Sequence, residues 1–317
     1  MNQTNKIRIA IVGLGGIGGY IGGKLAHYYF NNANIEIIFI CRGTQNTAIK
    51  ANGLELLSNN EVLKCYPDLV SFDSDEIGIV DVCIICTKNY SVTTALQVYT
   101  KCISSNTIII TTQNTVNGNE TITPFLPKGA TLLEGSIYIA SNILSPGKIH
   151  HVSGPSKLFF GTDGEGNIIG EFISKIFNEA GIETTFTNSI KNILWKKFMF
   201  VSPTAIVTAI FQITFSEIKQ NKEAEILFTH LISELILLAK AKSIEVDINT
   251  IENNLKLLDN FSKEVKSSFQ LDLEKSKPNE IESLVKYVIK EAKQINVSIP
   301  HYKDALKKLE IQYNLNS

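Results

Sequence analysis

The chain has 317 residues, 44% of them hydrophobic, enough for a large core and about two domains. Its 30 basic and 31 acidic residues leave a formal net charge of −1, so no charge excess points to nucleic acid or to an anionic membrane surface. No uninterrupted apolar run approaches the roughly 18 residues that span a bilayer, and MNQTNK leads into a strand rather than a signal-peptide core, so a cytoplasmic protein is expected.

The stretch Lys6 to Ala26 reads as strand, tight turn and helix. Apolar β-formers (Ile7, Ile9, Ala10, Ile11, Val12) run into Gly13-Leu14-Gly15-Gly16-Ile17-Gly18 and then into helical spacing. In that context Gly13 permits the sharp turn, Gly15 lets the backbone approach a pyrophosphate, and Gly18 lets helix and strand pack closely. The spacing predicts a second strand over Ile35 to Ile40, followed by Cys41-Arg42-Gly43. An acid just past this strand would bind the ribose 2′-hydroxyl of NAD, whereas a nearby arginine accommodates the 2′-phosphate of NADP. There is no acid here, and only two of the 30 basic residues are arginines, Arg8 and Arg42, so NADP(H) is the expected cofactor.

A small hairpin is expected from Gly53 to Cys65. Buried strands follow over Gly78 to Cys86 and Asn106 to Thr112. They deliver Thr87-Lys88 and Gln113-Asn114-Thr115 at their C-terminal ends, where open α/β sheets bind ligands. Ala130 to Phe160 reads as three β stretches, Ile168 to Ala180 as an amphipathic helix and Glu183 to Phe186 as a last strand. Beyond Asn188 the pattern is helical: Ile190 to Phe211, Phe215 to Ala241, Ile248 to about Glu264, Pro278 to Ile295 and Lys303 to Tyr313. The expected organisation is an α/β dinucleotide-binding domain over 1–188 and an all-helical domain over 189–317.

The five cysteines show no disulfide spacing and read as reduced core thiols. In IVDVCIICT strand alternation sends Cys83 and Cys86 to opposite faces, so their C-x-x-C implies no metal site. The five histidines are scattered, and His150-His151 is expected at the surface where a strand ends.

Several motifs along nearly the whole chain resemble the ketopantoate reductases (2-dehydropantoate 2-reductases). They are GLGGIGG, Thr87-Lys88, Gln113-Asn114, Trp195-Lys196-Lys197-Phe198, and Ser267-Ser268-Phe269-Gln270-Leu271-Asp272 with Pro278-Asn279-Glu280-Ile281 behind it. The resemblance implies a Rossmann domain joined to a helical domain of the 6-phosphogluconate dehydrogenase type, with the active site in the cleft between them. It implies NADPH-dependent reduction of 2-dehydropantoate to (R)-pantoate, on the route to pantothenate and coenzyme A. It places the catalytic lysine at Lys197 and the catalytic glutamate at Glu280. The carboxylate-binding serine falls at Ser268, and the cleft lysine and asparagine, serving substrate and cofactor, fall at Lys88 and Asn114.

Those residue types suit the chemistry: hydride reaching a carbonyl carbon leaves charge on oxygen, and an ammonium both stabilises it and supplies the proton. Lys196 is the neighbouring candidate, but adjacent helical residues point about 100° apart.

The chain departs from the family at Val201, Ala205 and Val265, where asparagines are common, and at Thr115, which replaces a glycine. Fewer donors point to a different, less polar 2-oxo acid as one alternative. A non-catalytic NADP(H)-sensing protein is another. The expected partner is a small 2-oxo acid, with no nucleic acid and no membrane, and with monomer and homodimer both open.

Overall fold

Strand β1 (Ile7–Val12) has no solvent face along its C-terminal half: Ile9 and Ile11 join one apolar core, Ala10 and Val12 another. A strand covered on both sides reads as an unbroken apolar run, and so do β2 (Ile35–Ile40), β6 (Val82–Ile85) and β7 (Ile108–Thr111) once they are placed in the sheet. The computed structural model describes residues 6–164 and 168–315. The chain divides into two units, Met1–Gln113 with Asn117–Ile190, and Asn114–Val116 with Lys191–Ser317.

In the first unit the chain runs from β1 through α1 (Gly16–Tyr28), β2, α2 (Gly43–Asn52), β3 (Leu54–Ser58), β4 (Glu61–Cys65), β5 (Leu69–Ser71) and α3 (Ser74–Ile77) to β6. Then come α4 (Val92–Val98), β7, α5 (Gly118–Ile122), β8 (Thr131–Ser145), β9 (Lys148–Gly161), α6 (Ile168–Glu179) and β10 (Thr184–Thr187). The sheet order is β4-β3-β9-β8-β7-β6-β1-β2-β5, with β10 also on β9. The six strands β5-β2-β1-β6-β7-β8 are mutually parallel, which is the 3-2-1-4-5-6 order of a dinucleotide-binding sheet. Their shared direction puts the C-terminal ends of β1, β2, β6 and β7, and the residues that follow, on one edge.

Where three β stretches were expected after Ala130 there is one long hairpin, β8 antiparallel to β9. Gly154, at φ +95°, bends β9 without ending it, and the pairing shifts register between Tyr138 and Ala140. His150 and His151 do not close a strand at the surface as expected. Both lie inside β9, half-buried, and the His151 ring sits between Ser58 Oγ and Ser156 Oγ, each at 3.0 Å. Cys83 and Cys86 do fall on opposite faces, each packed against a different core. Burial pushes both thiols up to about 12, and all five cysteines are free.

The second unit is helical. It contains α7 (Ile190–Phe211), which starts on the last residue of the first unit, α8 (Lys222–Ala241), α9 (Thr250–Leu257), α10 (Ser268–Glu274), a π-helical segment Glu282–Lys286, α11 (Tyr287–Gln294) and α12 (Pro300–Tyr313). α7 is long and apolar enough to cross a membrane by length and composition, but 72% of that window is buried, as in a core helix. The helix expected from Phe215 instead begins at Lys222, where Asn221 Oδ1 accepts from the Glu223 and Ala224 amides. α12 starts with Pro300 at its first turn, and the buried Glu234 carboxylate of α8 caps it. Glu234 accepts from the amides of His301 and Tyr302 at 2.8 and 2.9 Å.

Candidate active site

The glycine turn is shaped by sterics at Gly13, Gly16 and Gly18 and left open at Gly15; a Cβ on Gly16 would lie 2.0 Å from the Ser141 carbonyl oxygen. Gly13 has φ +93°, and a Cβ there would lie 2.9 Å from Thr87 Cγ2. A Cβ on Gly18 would lie 2.0 Å from the Gly13 carbonyl oxygen, so only glycine closes this turn onto the helix. A Cβ on Gly15 would meet nothing within 4 Å. Gly15 is also the N-cap of α1 and offers no side chain to the helix amides. The first intrahelical bond is Gly19 N–H to Gly15 C=O at 2.8 Å, leaving the preceding amides without such a bond. Amides without intrahelical partners beside an uncrowded Gly15 are the arrangement with which a helix N-terminus takes up a phosphate. Leu14 is buried and Ile17 half-buried, so they brace the turn from the protein side.

Arg42 follows β2 and is the N-cap of α2. It is exposed, with extended backbone. Lys88 follows β6 and is half-buried at the start of a short 3₁₀ turn. The neighbouring Thr87 Oγ1 is buried with no hydrogen-bond partner among the described residues. Gln113 is structural: its Nε2 donates to the carbonyls of Ile85 and Thr87, each at 2.9 Å, tying the end of β7 to the end of β6. That tie fixes the two strand ends from which Lys88 and Asn114 emerge.

In the second unit Lys197 lies on α7 and is half-buried, whereas Lys196 is exposed. Burial pushes the Lys197 ammonium down from 10.5 to about 8, against the pull of the Glu280 carboxylate, which favours the charged form. Glu280 is itself only 7% exposed and stands just before the π-helical segment. A π-turn leaves its backbone irregular, and Ser202 of α7 donates to the Leu284 carbonyl at 2.6 Å. Ser202 also meets Tyr302 Oη at 2.7 Å. The helix carrying Lys197 is thus hydrogen-bonded to the segment that follows Glu280. Asn114 Oδ1 is buried with no hydrogen-bond partner among the described residues.

Ser268 is not drawn into this cluster by its burial. It is exposed at the first position of α10, and the buried hydroxyl is that of Ser267, which caps Gln270 N–H and meets Thr208 Oγ1 at 2.9 Å. Val201 and Ala205, one and two turns beyond Lys197, are half-buried and buried, and Val265 is half-buried. All three pack within the apolar core of this unit. Among the described residues no group of three or more metal-ligating side chains occurs.

A glycine-turn parallel sheet of this order, followed by a helical unit presenting a lysine and a glutamate in electrostatic contact, defines an oxidoreductase of the Rossmann type with a helical second domain. Two family models match the chain: Ketopantoate reductase PanE/ApbA over residues 9–164, and its C-terminal counterpart over residues 189–310. The chain belongs to the ketopantoate reductase family. It is 26% identical over 93% of its length to the uncharacterized oxidoreductase YkpB of Bacillus subtilis, covering 95% of that protein. It is 27% identical to a 2-dehydropantoate 2-reductase of Pyrococcus horikoshii over 93% of both chains.

Among solved structures, the 2-dehydropantoate 2-reductase of Porphyromonas gingivalis is similar at TM-score 0.83 and 27% identity, covering 96% of this chain and 99% of that one. D-mandelate dehydrogenase with NADH and anilino(oxo)acetate shares the fold at TM-score 0.85 and 18% identity, covering 98% of this chain and 100% of that one.

Proposed function

We propose that this chain is a cytoplasmic, NADPH-dependent reductase of 2-dehydropantoate, forming (R)-pantoate for pantothenate and coenzyme A synthesis. The observation that carries the reading is Lys197, an ammonium held half-buried beside Glu280 with its acidity raised to about 8. Such a group is largely protonated near neutral pH and yet gives up its proton far more readily than an ordinary lysine, as a general acid must.

The glycine turn Gly13 to Gly18 would hold the pyrophosphate of the cofactor, Arg42 its 2′-phosphate, and Lys88 and Asn114 the cofactor and substrate. When bound, the reduced nicotinamide supplies hydride to the carbonyl carbon. Lys197 places its N–H at the carbonyl oxygen, stabilises the charge that develops there and transfers its proton to it. Glu280 orients the ammonium, and the Ser268 hydroxyl donates to the substrate carboxylate.

The test is NADPH oxidation on adding 2-dehydropantoate. Turnover by the wild type, reduced by about 10²–10⁴-fold in Lys197→Ala, supports the assignment, and unchanged turnover in the variant rejects Lys197 as the acid.

A second reading keeps the fold and the reaction but changes the acid. It is favoured by Val201 and Ala205 of α7 and by Val265, apolar side chains at positions where the family often carries asparagine. A panel of 2-oxo acids with apolar branched or aromatic tails separates the two: higher kcat/KM on these than on 2-dehydropantoate selects the second. NADP(H) binding with no turnover on any member of the panel selects instead the non-catalytic sensor.

A further inference from the structure

The glycine turn is gripped from outside by two polar side chains. Gln45, in the first turn of α2, donates Nε2–H to the Leu14 carbonyl oxygen at 2.7 Å and accepts on Oε1 from Gly147 N–H at 2.5 Å. A carbonyl only accepts and a backbone N–H only donates, so one orientation of the amide satisfies both. Gly147, at φ +77°, is the tip of the β8–β9 hairpin, and its own carbonyl accepts from Glu55 N–H of β3 at 2.8 Å. The tip is therefore a fixed anchor. Ser141 Oγ of β8 lies 3.0 Å from the Gly16 carbonyl oxygen and 3.0 Å from that of His150 in β9.

The peptide group is planar and trans, so holding a carbonyl fixes the N–H on its opposite side. The Leu14 carbonyl sets the direction of Gly15 N–H, and the Gly16 carbonyl sets that of Ile17 N–H. These amides belong to the part of the turn that precedes the first intrahelical bond and borders the open space at Gly15. A run of glycines has little rotational preference of its own, so the aim of its amides must come from elsewhere.

We propose that Gln45, with Ser141, is a positioning residue for dinucleotide binding: it locks the glycine-turn amides toward the cofactor phosphates by clamping the turn to the β8–β9 hairpin. The proposal rests on the dinucleotide reading above. It predicts that Gln45 acts on cofactor affinity and not on chemistry or global folding.

The test is calorimetric titration of NADP⁺ into the full-length wild type, Gln45→Met and Gln45→Glu, with thermal unfolding and steady-state kinetics alongside. Gln45→Met, which lacks both hydrogen bonds, is expected to raise the dissociation constant and the cofactor KM about tenfold, with kcat within about twofold. Gln45→Glu keeps the acceptor for Gly147 but sets a carboxylate against the Leu14 carbonyl, so it binds weakly at about pH 8. Near pH 5 a half-buried, protonated glutamate again offers one donor and one acceptor, and its affinity is expected to approach that of the wild type at the same pH.

Wild-type affinity in Gln45→Met, or a Gln45→Glu deficit that is the same at both pH values, overturns the proposal. Lowered thermal stability with unchanged NADP⁺ affinity also overturns it, because that is the signature of a purely structural role. Failure of the wild type itself to bind NADP(H) or NAD(H) is a separate result, which overturns the dinucleotide reading and this proposal with it.

Discussion

Replacing Glu280 by glutamine removes a charge that favours the protonated Lys197 ammonium against burial. At an effective dielectric near 20, opposite charges about 4–5 Å apart attract by roughly 3–4 kcal/mol, an upper bound of two to three pH units. Lys197 retains some solvent contact, so the realised shift is about one unit, or about 1.4 kcal/mol. With Lys197 as the proposed acid the sign follows: reduction needs the protonated lysine, so the rate is full below its pKa and lost as pH rises through it. In the wild type the alkaline limb of kcat/KM for the oxo acid is therefore expected near pH 8, and in Glu280→Gln near pH 7. The assay is NADPH oxidation from about pH 6 to 9.5 at saturating cofactor, with the limb position read separately from the plateau height. A limb that stays in place or moves up refutes the electrostatic link between the two residues, whatever happens to the plateau.

The same buried ammonium has a consequence for stability. With a folded pKa of about 8 against 10.5, the unfolded chain binds more protons between these values, so stability rises with pH across that window and the full penalty is present below pH 8. The double variant Lys197→Met/Glu280→Gln, which strands neither charge, is expected to be inactive yet more stable by about 1–3 kcal/mol at pH 7, a gain that shrinks above pH 8 in urea titrations. Gly15→Ala is expected to fold with its thermal midpoint unchanged but to lose NADP(H) affinity by about tenfold or more, because its methyl enters open space where a phosphate would lie. Gly18→Ala drives a methyl into the Gly13 carbonyl and is expected to lose about 3 kcal/mol or more in chemical denaturation. Arg42→Ala is expected to raise KM for NADPH about 10–100-fold while leaving KM for NADH within about twofold, and equal effects on the two reject Arg42 as the 2′-phosphate ligand. Glu234→Ala strips three hydrogen bonds from the start of α12 and is expected to lower unfolding free energy by about 2–4 kcal/mol without altering kcat, read by denaturant titration and turnover.

The central strands and the glycine turn are legible in the linear chain, because both are local. A strand covered on two faces needs apolar side chains at every position, as in Ile35–Ile40, and a turn of this kind needs glycine where a Cβ has no room. Helix α7 is legible from end to end for the same reason, since a helix buried on most sides is apolar on most sides. The lysine, glutamate and serine proposed for the site were legible only through motifs shared with a family, since one charged residue on a helix carries no pattern of its own.

The rest depends on contacts between residues far apart in the chain. Helix α2 is polar enough to read as a loop, yet it carries Gln45 to partners 31 and 102 residues away along the chain, a separation that no spacing rule spans. Whether Ser267 or Ser268 is buried turns on how α10 starts beneath α7, and the acidity of Lys197 is set by what surrounds it in space. Hydrophobic periodicity records which residues leave water. It does not record which polar atoms then meet, and the chemistry of this protein lies in those meetings.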